Sequence, residues 1–325
     1  MTLRGSAPLL LGLLWAVIGN ADCSRANLHA ITGTAARDGS VAADGRDSSS
    51  PTDSGTAVDS GGPVTCPSSV LKPGNTTQTL TDNRTYVLHV PDAYDGSKPV
   101  PLIVDFHALF GSGSGELSSS PYPALTDSEG VVMAFPDGKK GPAGAAWNVG
   151  PCCVAKVDDV DFARRVVAQI ESTACIDPNR IYAIGTSMGG GMAYYLACHA
   201  ADLFAAVAPS AFDLFQENVG DCNPTRPITV ISFRGMADTV VPYAGGPSST
   251  VSSMPVTFLG AEKTFETWAA IDGCTGSASA SDSNGCSAYS GCPTDVEVIL
   301  CTKEGGRQEV GSPSVAWPVL KRHTL

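Results

Sequence analysis

Ser187 stands in Gly185-Thr186-Ser187-Met188-Gly189, between the β-rich run Arg180-Ile181-Tyr182-Ala183-Ile184 and a helical stretch from Met192 to His199. A serine at a strand-to-helix turn, with glycine two positions to either side, is the arrangement that lifts a hydroxyl above a sheet as a nucleophile. The turn is strained, and a side chain at either glycine would clash. The chemistry such a serine serves is acyl transfer, which needs main-chain N–H donors for the developing oxyanion. Met188, the residue after the serine, supplies the first. The apolar run ending at Phe106 opens into His107-Ala108-Leu109-Phe110-Gly111-Ser112-Gly113, whose small residues let the amide of Ala108 or Leu109 supply the second. In a chain with 35 glycines the five-residue pattern arises easily by chance. The strand and helix beside it therefore carry the reading.

The acid that orients a catalytic imidazole should follow the serine in chain order, at the end of a later strand. Asp238 meets that condition, in Arg234-Gly235-Met236-Ala237-Asp238-Thr239-Val240-Val241-Pro242-Tyr243 after the run from Ile228. Asp158, Asp159 and Asp161 instead precede a helical pattern and read as capping and dipole-favoured residues.

These groups need a frame. The runs Tyr86–Val90, Leu102–Phe106, Val131–Phe135, Ile181–Ile184, Phe204–Ala208, Ile228–Phe233 and Val296–Leu300 read as strands. Between them Phe162, Val166, Val167 and Ile170 recur at helical spacing, as do Phe265, Trp268 and Ile271. Alternation of this kind predicts an α/β fold with a mainly parallel central sheet and helices on both faces. With 325 residues, 43% of them hydrophobic, the chain can bury one large core.

Residues 1–22 carry one basic residue, Arg4, and an apolar run from Ala7 to Gly19 too short for a comfortable membrane span, the pattern of a signal peptide. Cleavage after Ala21, or before a Cys23 acylated as a lipid anchor, would follow; Asp22 fits the second poorly. Residues 23–65 are dominated by small and polar residues and read as a disordered tether, leaving 66–325 as the folded domain. Of the 11 cysteines, setting Cys23 aside leaves an even number, which in an exported, oxidising compartment can all pair. Adjacent Cys152 and Cys153 are expected to reach two different partners. The cysteine spacing lacks a zinc pattern, and no metal or other cofactor is expected. A net charge of −12 argues against nucleic acid as a partner and against anionic membrane surfaces, save through the Cys23 anchor. A monomer, secreted or anchored at the cell surface, is expected.

Several longer stretches carry a resemblance: Trp147-Asn148-Val149-Gly150-Pro151-Cys152-Cys153, Asp158-Asp159-Val160-Asp161-Phe162, Cys175-Ile176-Asp177-Pro178-Asn179-Arg180-Ile181-Tyr182, the serine turn, and Leu196-Ala197-Cys198. With Asp238 in its Ala-Asp-x-x-Val-Pro-Tyr setting and Trp268 leading to Gly273-Cys274, they resemble secreted feruloyl esterases and polyhydroxybutyrate depolymerase-like enzymes of the carbohydrate esterase type. That resemblance implies the α/β-hydrolase fold and a carboxylic ester substrate, a feruloyl or acetyl ester of polysaccharide or a hydroxyalkanoate oligomer. It makes Trp147 a neighbour of the substrate pocket, packing an acyl group or belonging to the core. The insert from Gly273 to Cys292 would shape one wall of the site.

One expected part is missing. The family's triad histidine follows the last strand in a stretch like Gly-Gly-Gly-His-x-Trp-Pro, whereas this chain reads Glu304-Gly305-Gly306-Arg307-Gln308-Glu309-Val310. Counting from the glycines puts Gln308 at the base position; counting back from Trp317-Pro318 reaches Val315. Glutamine has no titratable nitrogen near neutral pH. Loss of the histidine from a comparable triad costs about a million-fold in turnover. The five histidines offer poor replacements. His29 lies in the tether, His89 in an early strand, His199 roughly 18 Å along a helix from the serine, and His107 at the mouth of the oxyanion loop. His323 follows the right strand, but a helix from Pro313 would carry it away. Two readings result: an active esterase, or an impaired hydrolase-fold protein that binds an ester or polysaccharide.

Overall fold

Every residue of the strand Val100–Phe106 is buried, and its side chains divide by alternation between two cores. Leu102, Val104 and Phe106 enter one core and Ile103 the other; Ile181 and Ala183 face the first, Tyr182 and Ile184 the second. That continuous apolar run is what a strand covered on both faces requires. The computed structural model of the chain describes residues 64–68, 71–141, 144–248, 256–307 and 311–325. The expected signal peptide, the tether apart from Val64 and Thr65, the Cys23 anchor and Gln308 lie outside the described residues.

In chain order the elements are β1 (Gly74–Thr79), β2 (Thr85–Val90), β3 (Val100–Phe106), α1 (Gly113–Ser119), α2 (Tyr122–Thr126), β4 (Val132–Pro136), β5 (Lys139–Gly141), β6 (Gly144–Ala146), α3 (Asp159–Glu171), β7 (Ile176–Thr186), α4 (Met188–His199), β8 (Ala206–Ser210), β9 (Thr229–Gly235), α5 (Ala261–Ile271), β10 (Cys286–Ala288), β11 (Val298–Lys303) and α6 (Pro313–Leu320). The main sheet has nine strands in the order β1-β2-β4-β3-β7-β8-β9-β11-β10. From β4 to β11 every neighbouring pair is parallel, and the antiparallel pairs lie at the two ends. Helices α3, α4 and α5 cover one face and α6 the other. All the expected strands and the helices after Asp158 and Pro313 are present. The hairpin β5–β6 and the edge strands β1 and β10 carry too few apolar residues for periodicity to mark them.

Helix α3 shows how the local sequence builds its element. Asp158 extends its backbone and accepts the Asp161 amide at 2.8 Å as N-cap. Phe162, Val166, Val167 and Ile170 then form the buried stripe. Asp159 does more than favour the dipole. Its buried carboxylate pairs with Arg84 at 2.6 Å and accepts the Asn148 amide at 2.7 Å, tying the Trp147–Cys153 segment to the helix.

Cysteines form five disulfides: Cys66–Cys175, Cys152–Cys153, Cys198–Cys222, Cys274–Cys292 and Cys286–Cys301. Cys152 and Cys153 bond to each other, not to two separate partners. Their segment turns back on itself, the Val149 amide donating to the Cys152 carbonyl at 2.7 Å and the Cys153 amide to the Trp147 carbonyl at 3.0 Å. The insert from Gly273 to Cys292 does not wall the serine. It carries β10, the edge strand four places from β7, about 19 Å across the sheet.

Candidate active site

Ser187 has φ 57° and ψ −122°, a left-handed conformation that non-glycine residues avoid. It is held there from both sides. Its amide donates to the Ser210 carbonyl at the end of β8, at 2.8 Å, and its carbonyl accepts the Gly191 amide at 3.0 Å. A Cβ on Gly189 would collide with the Phe106 carbonyl at the end of β3, and one on Gly190 would lie 2.6 Å from the Ser210 carbonyl oxygen. Glycines in a helix cost about 1 kcal/mol each relative to alanine. Three in succession at the start of α4 are therefore dictated by close approach, Gly189 and Gly190 to the two strand ends and Gly191 to the Phe212 ring. Ser187 remains partly exposed, directly before the N-terminus of α4, where the Met188 amide and the helix dipole favour a developing negative charge.

Beside it, the loop after β3 commits some amides and leaves others. Phe110 donates to the Ala145 carbonyl at 2.8 Å and Gly111 to the Ala108 carbonyl at 3.0 Å. The Ala108 amide faces the Glu116 carboxyl, which burial pushes up to about 7 and this main-chain group pulls back down. Among the described residues no acceptor is bonded to the Leu109 amide, so of the two expected donors Leu109 is the freer. His107 is fully buried and shapes this loop. Its Nε2 accepts the Gly138 amide at 2.9 Å, so Nδ1 carries the proton and donates to the Ala108 carbonyl at 2.7 Å; burial lowers its pKa. With both nitrogens committed, it is a structural residue.

Trp147 is fully buried, so it does not present its ring to a substrate pocket. It lies beneath the loop after β3, with Nε1 donating to the His107 carbonyl at 2.9 Å and its ring 4.7 Å from the His107 ring and 5.1 Å from Phe106. Cys153, which returns to Trp147 through the disulfide-bonded turn, places Sγ 3.8 Å from Met188 Sδ. One packed segment thus touches both His107, at the head of the loop after β3, and Met188, the residue after the serine.

Asp238 lies beyond β9, where the loops after β9 and β11 are joined: the Met236 amide donates to the Lys303 carbonyl at 2.8 Å and the Ala237 amide to the Gly305 carbonyl at 3.1 Å. The side chain is buried, and Oδ1 accepts the Val240 and Val241 amides at 2.8 and 3.0 Å. Behind it, Arg234 is fully buried, paired with Asp213 and donating to the Val241 carbonyl at 2.8 Å. Burial raises the Asp213 pKa to about 6 against the pull of Arg234, and the nearby Asp238 charge adds to the rise.

A family model described as the prolyl oligopeptidase family matches residues 118–213, a span that includes the serine turn. Feruloyl esterase B of Piromyces equi is 44% identical over 245 residues, 74% of this chain and 46% of the relative. A probable feruloyl esterase C of Aspergillus clavatus is 32% identical over 170 residues, 51% of this chain and 58% of the relative. The chain has the α/β-hydrolase fold and is related in sequence to the feruloyl esterases. It spans about half the length of these curated relatives. The solved acetyl xylan esterase from Aspergillus awamori shares the fold of this chain, with a TM-score of 0.56 at 16% identity, covering 76% of this chain and 99% of that one.

Arg307, not an imidazole, meets the acid, with Nη2 3.1 Å from Asp238 Oδ2 and 3.3 Å from Oδ1. Gln308 lies outside the described residues. His323 cannot serve: Nδ1 donates to the Asp295 carbonyl at 2.8 Å and Nε2 meets Glu297 at 2.8 Å. Both partners precede β11, whereas Asp238 lies past the end of its parallel neighbour β9, about 20 Å away along the strands. His89 is bonded to Asn75 and Asp127, and His199 packs on Tyr195 at the end of α4. Sequence reasoning missed Arg307, Arg234 and Asp213. Arg307 had a signal, since a cation beside the base position and near an acid is a ready ion pair.

Proposed function

We propose that this chain is a serine esterase acting on carboxylic esters, with feruloyl or acetyl esters of polysaccharide as the substrate class. Ser187 attacks the ester carbonyl, and the oxyanion is received by the main-chain amides of Met188 and Leu109, with Ala108 as the alternative to Leu109. An acyl-enzyme forms, the alcohol leaves, and water releases the acid. Asp238 is the acid of the triad and Gln308 stands at the position of its histidine. The observation that carries this reading is the strained Ser187 backbone, fixed by glycines against the ends of β3 and β8. Such strain persists only where the surroundings enforce it. The names of the relatives support the aromatic ester; the five disulfides support export to an oxidising compartment.

A second reading, a hydrolase-fold protein that binds such esters with little turnover, is favoured by one observation, the Arg307 guanidinium on Asp238. Hydrolysis of p-nitrophenyl butyrate and methyl ferulate by the parent, Ser187→Ala and Gln308→His separates the two. The esterase reading expects hydrolysis by the parent that Ser187→Ala abolishes. Activity surviving in Ser187→Ala would sink the serine mechanism, and an inert parent rescued by Gln308→His would establish the impaired reading.

A further inference from the structure

We infer that Arg307 is a latch on the catalytic acid: its guanidinium bonds one carboxylate oxygen of Asp238 and sits in ion-pair contact with the other, the one a base would need, and so holds turnover down independently of the residue at 308. The inference rests on the serine esterase reading and deepens it.

The two oxygens of Asp238 are used differently. Oδ1 accepts the Val240 and Val241 amides, which fix the turn, and also Arg307 Nη2 at 3.3 Å. Oδ2 is the oxygen left for orienting a base, and it is buried without a well-aligned hydrogen bond. The group that reaches it is Arg307 Nη2, at 3.1 Å, in an ion pair whose acid is fully buried and whose arginine side chain is 21% exposed. An imidazole between serine and acid needs this oxygen to accept its second N–H, because that contact selects the tautomer and stabilises the imidazolium formed when the serine proton is taken. With Arg307 in place the oxygen is shared and its charge is balanced. The neighbouring Asp213–Arg234 pair is balanced as well. A proton gained at the base position would leave this buried cluster with an excess positive charge, which low-dielectric surroundings penalise.

The latch is separable from the missing histidine by supplying the base from solution. Neutral imidazole takes the Ser187 proton as Oγ bonds to the carbonyl carbon, and its other N–H donates to Asp238 Oδ2. The imidazolium then gives the proton to the departing alkoxide; in the second step the same base accepts a proton from the water that attacks the acyl-enzyme and returns it to Ser187 Oγ as the acyl–oxygen bond breaks. No other co-reactant is needed.

The test is imidazole-dependent hydrolysis of p-nitrophenyl butyrate by the full chain, as kcat and KM, with uncatalysed imidazole hydrolysis subtracted. The variants are Arg307→Gln, Arg307→Met, which keeps most of the buried stem, and Arg307→Lys, which keeps the charge. A hydrogen-bonded ion pair contributes enough that its removal should raise the imidazole-stimulated kcat roughly tenfold or more over the parent, with KM little changed. Arg307→Lys should stay near the parent. The gain should vanish when Ser187→Ala or Asp238→Asn is added, and should fall below the pKa of imidazole, where the base is charged. Equal stimulation in the parent and in whichever of Arg307→Gln and Arg307→Met folds would overturn the latch, as would stimulation that survives Asp238→Asn. Absence of stimulation in a folded variant also overturns it. In that event Ser187-dependent hydrolysis by the parent, measured without imidazole, tells whether the esterase reading stands.

Discussion

The two halves of the site are built to different standards. On the nucleophile side, three strand ends converge: glycine contacts with Phe106 and Ser210 leave Ser187 one backbone conformation, and the adjoining loop leaves the Leu109 amide unspent. On the acid side, the loops after β9 and β11 meet correctly and Asp238 is anchored by two amides, yet its remaining oxygen faces a guanidinium. Steric demands on main chain preserve the first half, because any side chain at Gly185 or Gly189 collides with its neighbours. The second half depends on the chemistry of one side chain in a loop, which can change without disturbing the fold.

The contrast is broken most strongly by Gly189→Ala. Its methyl group would run into the Phe106 carbonyl, so it should cost about 3 kcal/mol or more by overpacking, visible as a melting temperature lowered by roughly 6 °C or more. Any Ser187-dependent hydrolysis should disappear with it. An unchanged melting point would show that the elbow is not sterically fixed.

Asp272 tests the frame under the acid half. Its buried carboxyl accepts the Ile228 amide at 3.0 Å, just before β9, and burial pushes its pKa up to about 7. The folded state therefore holds a proton that the unfolded chain releases near pH 4, so stability falls as pH rises from about 4 to about 7. Asp272→Asn removes this dependence and should be more stable than the parent at pH 8 by about 2 kcal/mol, the order that a shift of this size allows. Urea melts at pH 5 and pH 8 read it directly; equal slopes in both proteins would contradict it.

Trp147→Phe sharpens the account of the nucleophile side. It leaves the buried His107 carbonyl without the indole N–H, a cost of about 1–2 kcal/mol. Because the tryptophan supports the oxyanion loop and does not line the pocket, kcat should fall with KM nearly constant. A rise in KM alone would return Trp147 to the pocket. Least of all, His323→Gln should lower stability by about 1 kcal/mol through the hydrogen bonds its buried ring makes to the Asp295 carbonyl and Glu297 and leave hydrolysis unchanged. Lost hydrolysis would place His323 in the chemistry.

Most of the frame was legible in the sequence, because parallel strands buried on both faces must be continuous apolar runs and α3 carries a capped helical stripe. The placement of Ser187, Asp238 and the loop after β3 at strand ends was legible for a similar reason: small residues mark the close approaches. Distances across the sheet were not legible. The insert from Gly273 to Cys292 sits near the acid in the chain's order but lies along the far edge, and Cys152 and Cys153 bond to each other because their segment folds back between Trp147 and Met188. Trp147 was ambiguous, since an aromatic residue beside a site is pocket or support according to which way its loop turns. The Arg307–Asp238 pair depends on two loops more than sixty residues apart meeting, a fact that pattern and periodicity do not carry.

The central claim is that Ser187 is a working nucleophile in a site whose base is compromised. It is tested most directly by comparing p-nitrophenyl butyrate hydrolysis in the parent and in Ser187→Ala at neutral pH, with both proteins shown to be folded. The account predicts slow hydrolysis by the parent that is lost in Ser187→Ala; equal rates in the two proteins would contradict it.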